Sequence, residues 1–186
     1  MSDPAEWLAR FDRKVLLRDD ILVRMRPIRS DDEPRLAALY AHLSRDTRYH
    51  RFFSVQQRLP PDWVHFLANV DCRSRLALVV ESPADPDALI AVARYEPAGE
   101  PGIVEVAFVV QDDWQGRGLG TVLFGELLAA AAVNGIERFR AWVLADNRRM
   151  LDLIARLGGV TQRTIEQGVL ELSFRARPAR SSGSSG

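Results

Sequence analysis

The sequence predicts a single α/β domain with a mixed, mostly antiparallel sheet flanked by helices. Three observations carry this. Apolar alternation and helical periodicity succeed one another as two strands, helices, three strands, a helix, a strand, a helix and a last pair of strands. The chain has 186 residues, 47% of them hydrophobic, and no repeat or low-complexity linker divides it. Finally, a buried strand (103–110) runs through a glycine-rich turn into a long apolar helix (119–133).

From the N-terminus, residues 4–12 read as a short amphipathic helix with Trp7, Leu8 and Phe11 on one side. Val15 to Leu17 and Ile21 to Ile28 form a hairpin about Arg18-Asp19-Asp20. In its second arm Leu22, Arg24 and Arg26 alternate with Ile21, Val23 and Met25. Ser30 to Pro34 supplies candidate caps, first-turn acids and an early proline. Leu36, Leu39, Tyr40 and Leu43 then recur at helical spacing. A second helix spans Ser44 to Phe53, capped by Ser44 or Asp46, and a third Pro61 to Val70. Leu76 to Val80 is a buried strand, Pro83 to Asp87 a turn, and Leu89 to Tyr95 the next strand. Pro97 to Gly102 turns into the strand Ile103 to Val110. The helix Leu119 to Val133 stops at Asn134-Gly135. Phe139 to Leu144 is a strand, and Asn147 to Leu157 a helix ended by Gly158-Gly159. Val160 to Ile165 and Val169 to Phe174 pair around Gln167-Gly168. We expect an N-terminal extension over residues 1–14, the domain over 15–178, and a flexible or leftover tail over 179–186.

Composition excludes several classes. Lys+Arg and Asp+Glu both number 25, so no overall positive field points to nucleic acid. Lys14 is the only lysine. A single cysteine, Cys72, rules out a disulfide framework and argues against a cysteine/histidine zinc site. The N-terminus has no basic region followed by an apolar run, and no segment offers 18 consecutive apolar residues. A cytoplasmic protein without a membrane span is the expectation.

Gly116, Gly118 and Gly120 lie between the strand and the helix that starts at Leu119. Glycines permit a sharp bend and close approach to peptide N–H groups, and the helix N-terminus adds partial positive charge. Arg117 adds a full charge, so a pyrophosphate is a suitable guest. A plain glycine turn that tightens strand–helix packing is the structural alternative. A dinucleotide loop needs G-x-G-x-x-G with an acid about 20 residues on. Here the spacing is G-x-G-x-G, and Arg140 occupies that later region. Gly-Lys-Ser/Thr, required by a Walker A loop, is absent.

Glu105 carries the second signal. In a strand Ile103, Glu105, Ala107 and Val109 share a face, and three of the four are apolar. The carboxylate is therefore buried or faces a cleft, and desolvation raises its pKa toward the range of a general base. A glutamate at a strand edge or paired with an arginine is the bland alternative. An N–H near Phe108 or Val109 is the candidate oxyanion donor.

The stretch Val110-Gln111-Asp112-Asp113-Trp114-Gln115-Gly116-Arg117-Gly118-Leu119-Gly120 resembles the acyl-CoA-binding motif of the GNAT N-acetyltransferases, V-x-x-x-x-Q/R-x-x-G-x-G/A. The order of elements over residues 24–175 is also similar to that fold. The resemblance implies acetyl-CoA as acyl donor, held by Gln115, Gly116, Arg117, Gly118, Leu119, Gly120 and Thr121, with backbone amides of 116–121 on the pyrophosphate. It further implies that Phe108, Val109 and Val110 run beside the pantetheine arm and that Asn147 contacts it. Arg26-Pro27-Ile28-Arg29, Tyr49-His50-Arg51-Phe52-Phe53, Val70-Asp71, Glu105-Val106-Ala107-Phe108 and Asp112 to Gly118 are similar to the catalytic domain of Pat-type protein lysine acetyltransferases. That likeness implies Glu105 as the catalytic base and a protein lysine as acceptor, for example on an acyl-CoA synthetase. Pat-type proteins usually carry a further regulatory or acyl-CoA-synthetase-like domain, which leaves shared substrate and regulation open. A small-molecule amine acceptor and a non-catalytic acyl-CoA-binding module are the alternatives.

One departure stands out. Many members carry a tyrosine that protonates the departing thiolate, and the corresponding position here counts to Ile154. The remaining candidates read blandly. Cys72 has no histidine near it in sequence, and His42, His50 and His65 lie on helices at no ligand spacing, as surface or core residues. Arg45, Arg48 and Arg51, with Tyr49 and Phe52, line a cleft, grip a 3′-phosphate or form a solvated basic face. Trp114 packs beside the loop.

Overall fold

The computed structural model describes residues 4–53, 56 and 58–177, so the tail 179–186 lies outside the described residues. Eight strands form one sheet in the order β1-β2-β3-β4-β5-β6-β8-β7. They are β1 (Arg13–Leu16), β2 (Leu22–Pro27), β3 (Leu76–Glu81), β4 (Leu89–Pro97), β5 (Ile103–Val110), β6 (Arg138–Leu144), β7 (Gly158–Glu166) and β8 (Val169–Ala176). Every neighbouring pair is antiparallel except β5–β6, which is parallel.

Helices cover both faces. On one, α1 (Pro4–Leu8) with the 3-10 turn Ala9–Phe11 after it, α5 (Leu119–Val133) and α6 (Arg148–Leu157) pack Trp7, Phe11, Leu123, Phe124, Leu127 and Ile154 onto the apolar rows of the strands. Trp7 and Phe11 meet edge to face at 5.9 Å and belong to the main core. On the other face, α2 (Glu33–His42) and α4 (Pro61–Ala68) bury Leu36, Leu39, Tyr40 and Leu67 against Ala77, Val79, Val92 and Val109. Between them in the chain, α3 (Arg45–Phe52) packs on β5 and β6 and is N-capped by the Ser44 hydroxyl, which accepts from Thr47 N–H. No helix among the described residues is long and apolar enough to cross a membrane.

Alternation predicted Arg26 on the same side as Arg24 and Leu22, both exposed. Arg26 is instead fully buried. Its Nη1 and Nη2 donate to Asp32 at 2.7 and 2.8 Å, and its Nε to Glu81 at 2.5 Å. Asp32, also fully buried, accepts from Arg29 N–H at 2.8 Å and so ties β2 to the start of α2. Two further boundaries differ from expectation. Helix α4 ends at Ala68, where Asn69 leaves the helical region. Helix α6 ends at Leu157 as expected, with Gly158 as its C-cap, but β7 begins at Gly158 and not at Val160, and Gly158 sits in extended backbone against Phe174.

The feature that positions the site is the unequal pairing of β5. Against β4 it is paired from Val104 to Val110. Against β6 the ladder covers only Ile103–Glu105 with Arg138–Arg140. Beyond Glu105 the two parallel strands diverge, and a cleft of about 1040 Å³ opens there, lined by Glu105 to Val110.

Candidate active site

The divergence leaves one edge of β5 without a neighbouring strand. Gln111 N–H donates to Ile90 O, and Ile103 O accepts from Ala98 N–H, so odd-numbered residues of β5 turn their backbone groups to β4. Val106, Phe108 and Val110 therefore turn theirs toward the gap. Val110 O accepts there from Gln115 Nε2 at 3.0 Å. Of the two N–H groups expected as oxyanion donors, that of Phe108 points to the gap and that of Val109 to β4.

At the far end of the gap the chain turns into α5. Gly116 and Gly118 have φ of +79° and +86°, a left-handed conformation that β-carbons disfavour. The first intrahelical bond recorded is Val122 N–H to Gly118 O, which leaves the N–H groups of Leu119, Gly120 and Thr121 without helical acceptors. Gly116, Gly118, Gly120 and Thr121 line the cleft, whereas the Leu119 side chain is buried in the core. The positive charge at this loop differs from expectation. Arg117 turns its guanidinium to Asp19 at 2.9 Å and over the Trp114 ring at 4.8 Å, and does not line the cleft. Arg18, from the β1–β2 turn, takes that place: it lines the cleft and packs on Gly118. No local sequence signal pointed to it, because the β1–β2 turn reaches the loop only through the fold.

Side chains brace this end. Asp112 accepts from Ser44 N–H at 2.8 Å, Ser44 Oγ at 2.6 Å and Thr47 Oγ1 at 2.7 Å, bolting α3 to the end of β5. Gln115 donates to Thr47 at 3.2 Å and Val110, and accepts from Arg149 of α6 at 2.6 Å. Asn147 caps α6, its Oδ1 accepting from Met150 N–H at 3.2 Å, and its amide nitrogen is the half left for a ligand. Phe108 lines the cleft and stacks on Phe124 at 5.7 Å, while Val109 and Val110 form the neighbouring wall.

Glu105 stands at the point of divergence, half-buried and facing the cleft. Across the ladders its partners are Glu96 on β4 and Arg140 on β6. Burial pushes its pKa above the ordinary glutamate value; Arg51 opposes the shift, Glu96 adds to it and Arg140 opposes it. Glu96 is held by Arg94 Nε at 2.8 Å, and burial lowers the Arg94 pKa to about 10. Arg51 lines the cleft and lies over Phe52 at 4.5 Å. The three arginines of α3 thus part company: Arg51 faces the cleft, Arg48 is buried and bonds Leu43 O, and only Arg45 is exposed. Glu96 was missed by sequence reading, although its pairing opposite Glu105 follows from the short turn between β4 and β5. Trp63 and Phe66 of α4 and Trp142 of β6, all exposed, complete the cleft wall.

Ile154 does not face this space. It is fully buried, and α6 presents Arg149, Met150, Leu153 and Arg156 to the cleft instead. The missing tyrosine is therefore a property of the whole cleft and not of one position. Tyr40 bonds Gln56 O, Tyr95 bonds Arg73 O, Tyr49 is exposed, and none of the three lines the cleft. Cys72 also lies elsewhere, with burial and Asp71 both raising its pKa, against thiolate formation. His42 bonds Ala38 O and His65 pairs with Glu33, both away from the cleft, but His50 lines it.

A profile described as the Acetyltransferase (GNAT) family matches residues 36–159. The acetyltransferase Pat of Mycolicibacterium smegmatis is 37% identical over 138 residues, covering 73% of this chain and 40% of that protein. The chain thus spans less than half the length of that relative. An acetyltransferase of Pseudomonas aeruginosa is 33% identical over 148 residues, covering 79% of this chain and 80% of that one. The solved GNAT domain of PAT from S. lividans is similar at a TM-score of 0.81 and 35% identity, covering 90% of this chain and 98% of that chain. The matched stretch 36–159 holds the strands that diverge, the glycine turn and Glu105, and the chain belongs to the GNAT acetyltransferase family.

Proposed function

We propose that the protein transfers an acetyl group from acetyl-CoA to an amine, with a protein lysine as the acceptor, and that residues 15–178 form the acyltransferase domain, with Trp7 and Phe11 of the N-terminal segment packed into its core. The observation that carries this reading is the divergence of β5 from β6 at Glu105. It puts a desolvated carboxylate at one end of a cleft and a free helix N-terminus at the other. The residues fit the donor. Gly116 to Thr121, with Arg18, suit the pyrophosphate. Phe108 to Val110 and Asn147 suit the amide-bearing arm, and Gln115 braces the loop between them.

Acetyl-CoA supplies an acyl group activated as a thioester. Glu105, directly or through one water, takes a proton from the acceptor ammonium, and the free nitrogen attacks the carbonyl. Phe108 N–H stabilises the oxyanion. Collapse breaks the C–S bond, the electron pair leaves with sulfur, and the nitrogen gives up its second proton to solvent as the amide forms. Sulfur takes up one proton, so the turnover releases one proton net. Trp63, Phe66 and Trp142 offer apolar surface for the methylene stem of a lysine, and Glu96 with Glu105 favours its cationic head. The Pat-type resemblance adds a lysine of an acyl-CoA synthetase to the acceptors worth testing.

The test combines calorimetric titration of acetyl-CoA with thiol release in the presence of an N-capped lysine peptide, an acyl-CoA synthetase and spermidine. We expect micromolar binding or tighter, and transfer to lysine above that to spermidine. Glu105→Gln should bind acetyl-CoA as wild type does and lose about 10²-fold or more in kcat. Equal turnover by this variant would remove Glu105 as the base, and binding without transfer to any amine would favour a non-catalytic acyl-CoA-binding module.

A further inference from the structure

We propose that His50 is the acid that protonates the departing coenzyme A thiolate, with Asp146 orienting it. The inference rests on the acetyl-transfer reading above. Helix α3 packs along β5, with Ser44 and Thr47 bolted to Asp112 past the strand's end and the charge of Arg51 acting on Glu105 near its start. His50 lies between these two contacts, over the gap, and lines the same cleft as Glu105, Phe108 and Asn147. Its Nε2 reaches across to Asp146 Oδ1 at 3.2 Å, on the turn that precedes the Asn147 cap of α6. With Nε2 held by a carboxylate, Nδ1 is the nitrogen left to serve the sulfur.

Few other groups in the cleft suit this proton transfer. No tyrosine or cysteine lines it, and the hydroxyls of Ser44 and Thr47 are committed to Asp112. The arginines hold their protons too tightly to act as acids near neutral pH. An imidazole is the side chain that changes charge in that range. The Asp146 side chain is 79% exposed, so the pair can be reprotonated from solvent. When the tetrahedral adduct collapses, the C–S electron pair moves to sulfur. The sulfur takes the imidazolium proton, and neutral His50 then regains a proton from water. The charged groups sharing the cleft with His50 are Asp46 and Arg51 on its own helix, Arg18 on the β1–β2 turn, Arg94 and Glu96 on β4, Glu105 on β5 and Asp112 just past it, Asp146 on the turn before α6, and Arg148, Arg149, Asp152 and Arg156 on α6.

The test measures acetyl-CoA binding and the pH profile of kcat, with an N-capped lysine peptide as acceptor, for wild type, His50→Gln and Asp146→Asn. Wild-type kcat should fall at high pH as the imidazolium is lost. His50→Gln should lose about 10²-fold in kcat near neutral pH and lose this basic limb, with its acetyl-CoA Kd unchanged. Asp146→Asn should keep the limb and lower kcat by less than His50→Gln does, with the acetyl-CoA Kd unchanged, because the imidazole is present but no longer oriented. A merely structural strap would weaken binding and lower kcat evenly across pH. That result, a basic limb that persists in His50→Gln, or a kcat equal to wild type would overturn the assignment. If His50→Gln does not fold, a kcat for Asp146→Asn equal to wild type has the same force. A wild-type protein that transfers to no amine defeats the acetyl-transfer reading itself, and this inference with it.

Discussion

Replacing Arg26 by methionine tests whether the buried ion cluster holds β2, β3 and α2 together. The substitution keeps an unbranched apolar stem and removes three donors that serve two carboxylates. Asp32, fully buried, keeps only Arg29 N–H at 2.8 Å and Arg35 at 3.2 Å. Glu81 keeps only Arg24, at 3.8 Å. Removing one partner of a buried pair costs about 3–5 kcal/mol, a large share of the roughly 5–15 kcal/mol that stabilises a domain. At an m-value of about 2 kcal/mol/M, the urea midpoint should fall by about 1.5–2.5 M at pH 7.5. The pH dependence gives a second reading. Burial raises the Asp32 pKa, but hydrogen bonds from Arg26 and Arg29 outweigh it and hold the group below its ordinary 3.8. In wild type that contribution is complete above 3.8 and is lost as pH falls through the folded-state value. In the variant the burial penalty is largely unopposed, Asp32 accepts a proton at higher pH, and the deficit against wild type should shrink as the medium is acidified. The triple variant Arg26→Met, Asp32→Asn, Glu81→Gln should recover much of the loss, since it leaves no unpaired buried charge. A midpoint within about 0.5 M of wild type for Arg26→Met, or no recovery in the triple variant, would refute the reasoning.

Two other outcomes follow from the site and its support. Because Glu96 raises the Glu105 pKa and Arg51 lowers it, Glu96→Gln should move the acid limb of kcat/KM to lower pH and Arg51→Met should move it higher; opposite movements would show that another group sets that limb. Gly158→Ala would place a Cβ 2.6 Å from Phe174 Cδ2 and 3.0 Å from Ile154 O, an overpacking that should cost about 1–3 kcal/mol by denaturant titration, whereas an unchanged midpoint would mean that the ring and helix end yield freely.

The parts of the molecule legible in the sequence are those set by neighbours along the chain. Strand Ile103–Val110 and helix Leu119–Val133 match their expected bounds, because an unbroken apolar run and a glycine punctuation mark determine both. Glu105 was legible for the same reason, as one charge on an apolar face. Arg26 was not: its burial depends on Asp32 and Glu81, and Glu81 lies 55 residues away. His50 looked bland because its partner Asp146 is 96 residues on. Arg117 was given the charge of the loop because it is adjacent in sequence, while Arg18 arrives there through the β1–β2 turn. The position counted for the tyrosine failed on helix phase, since Ile154 lies on the core side of α6 and Leu153 on the cleft side.

The short β5–β6 ladder makes the sheet a pair of leaves joined at a spine of three residue pairs, with Glu105 on the spine. Any small opening or closing of the leaves displaces a point in proportion to its distance from that spine. At about 3.3 Å per residue, Phe108 is about 10 Å out and Val110 about 17 Å out, so a swing of about 5° moves them by about 0.9 and 1.5 Å. Glu105 itself scarcely moves. A swing therefore changes the width of the outer end, which the Gln115–Arg149 bond spans, far more than it changes the position of Glu105.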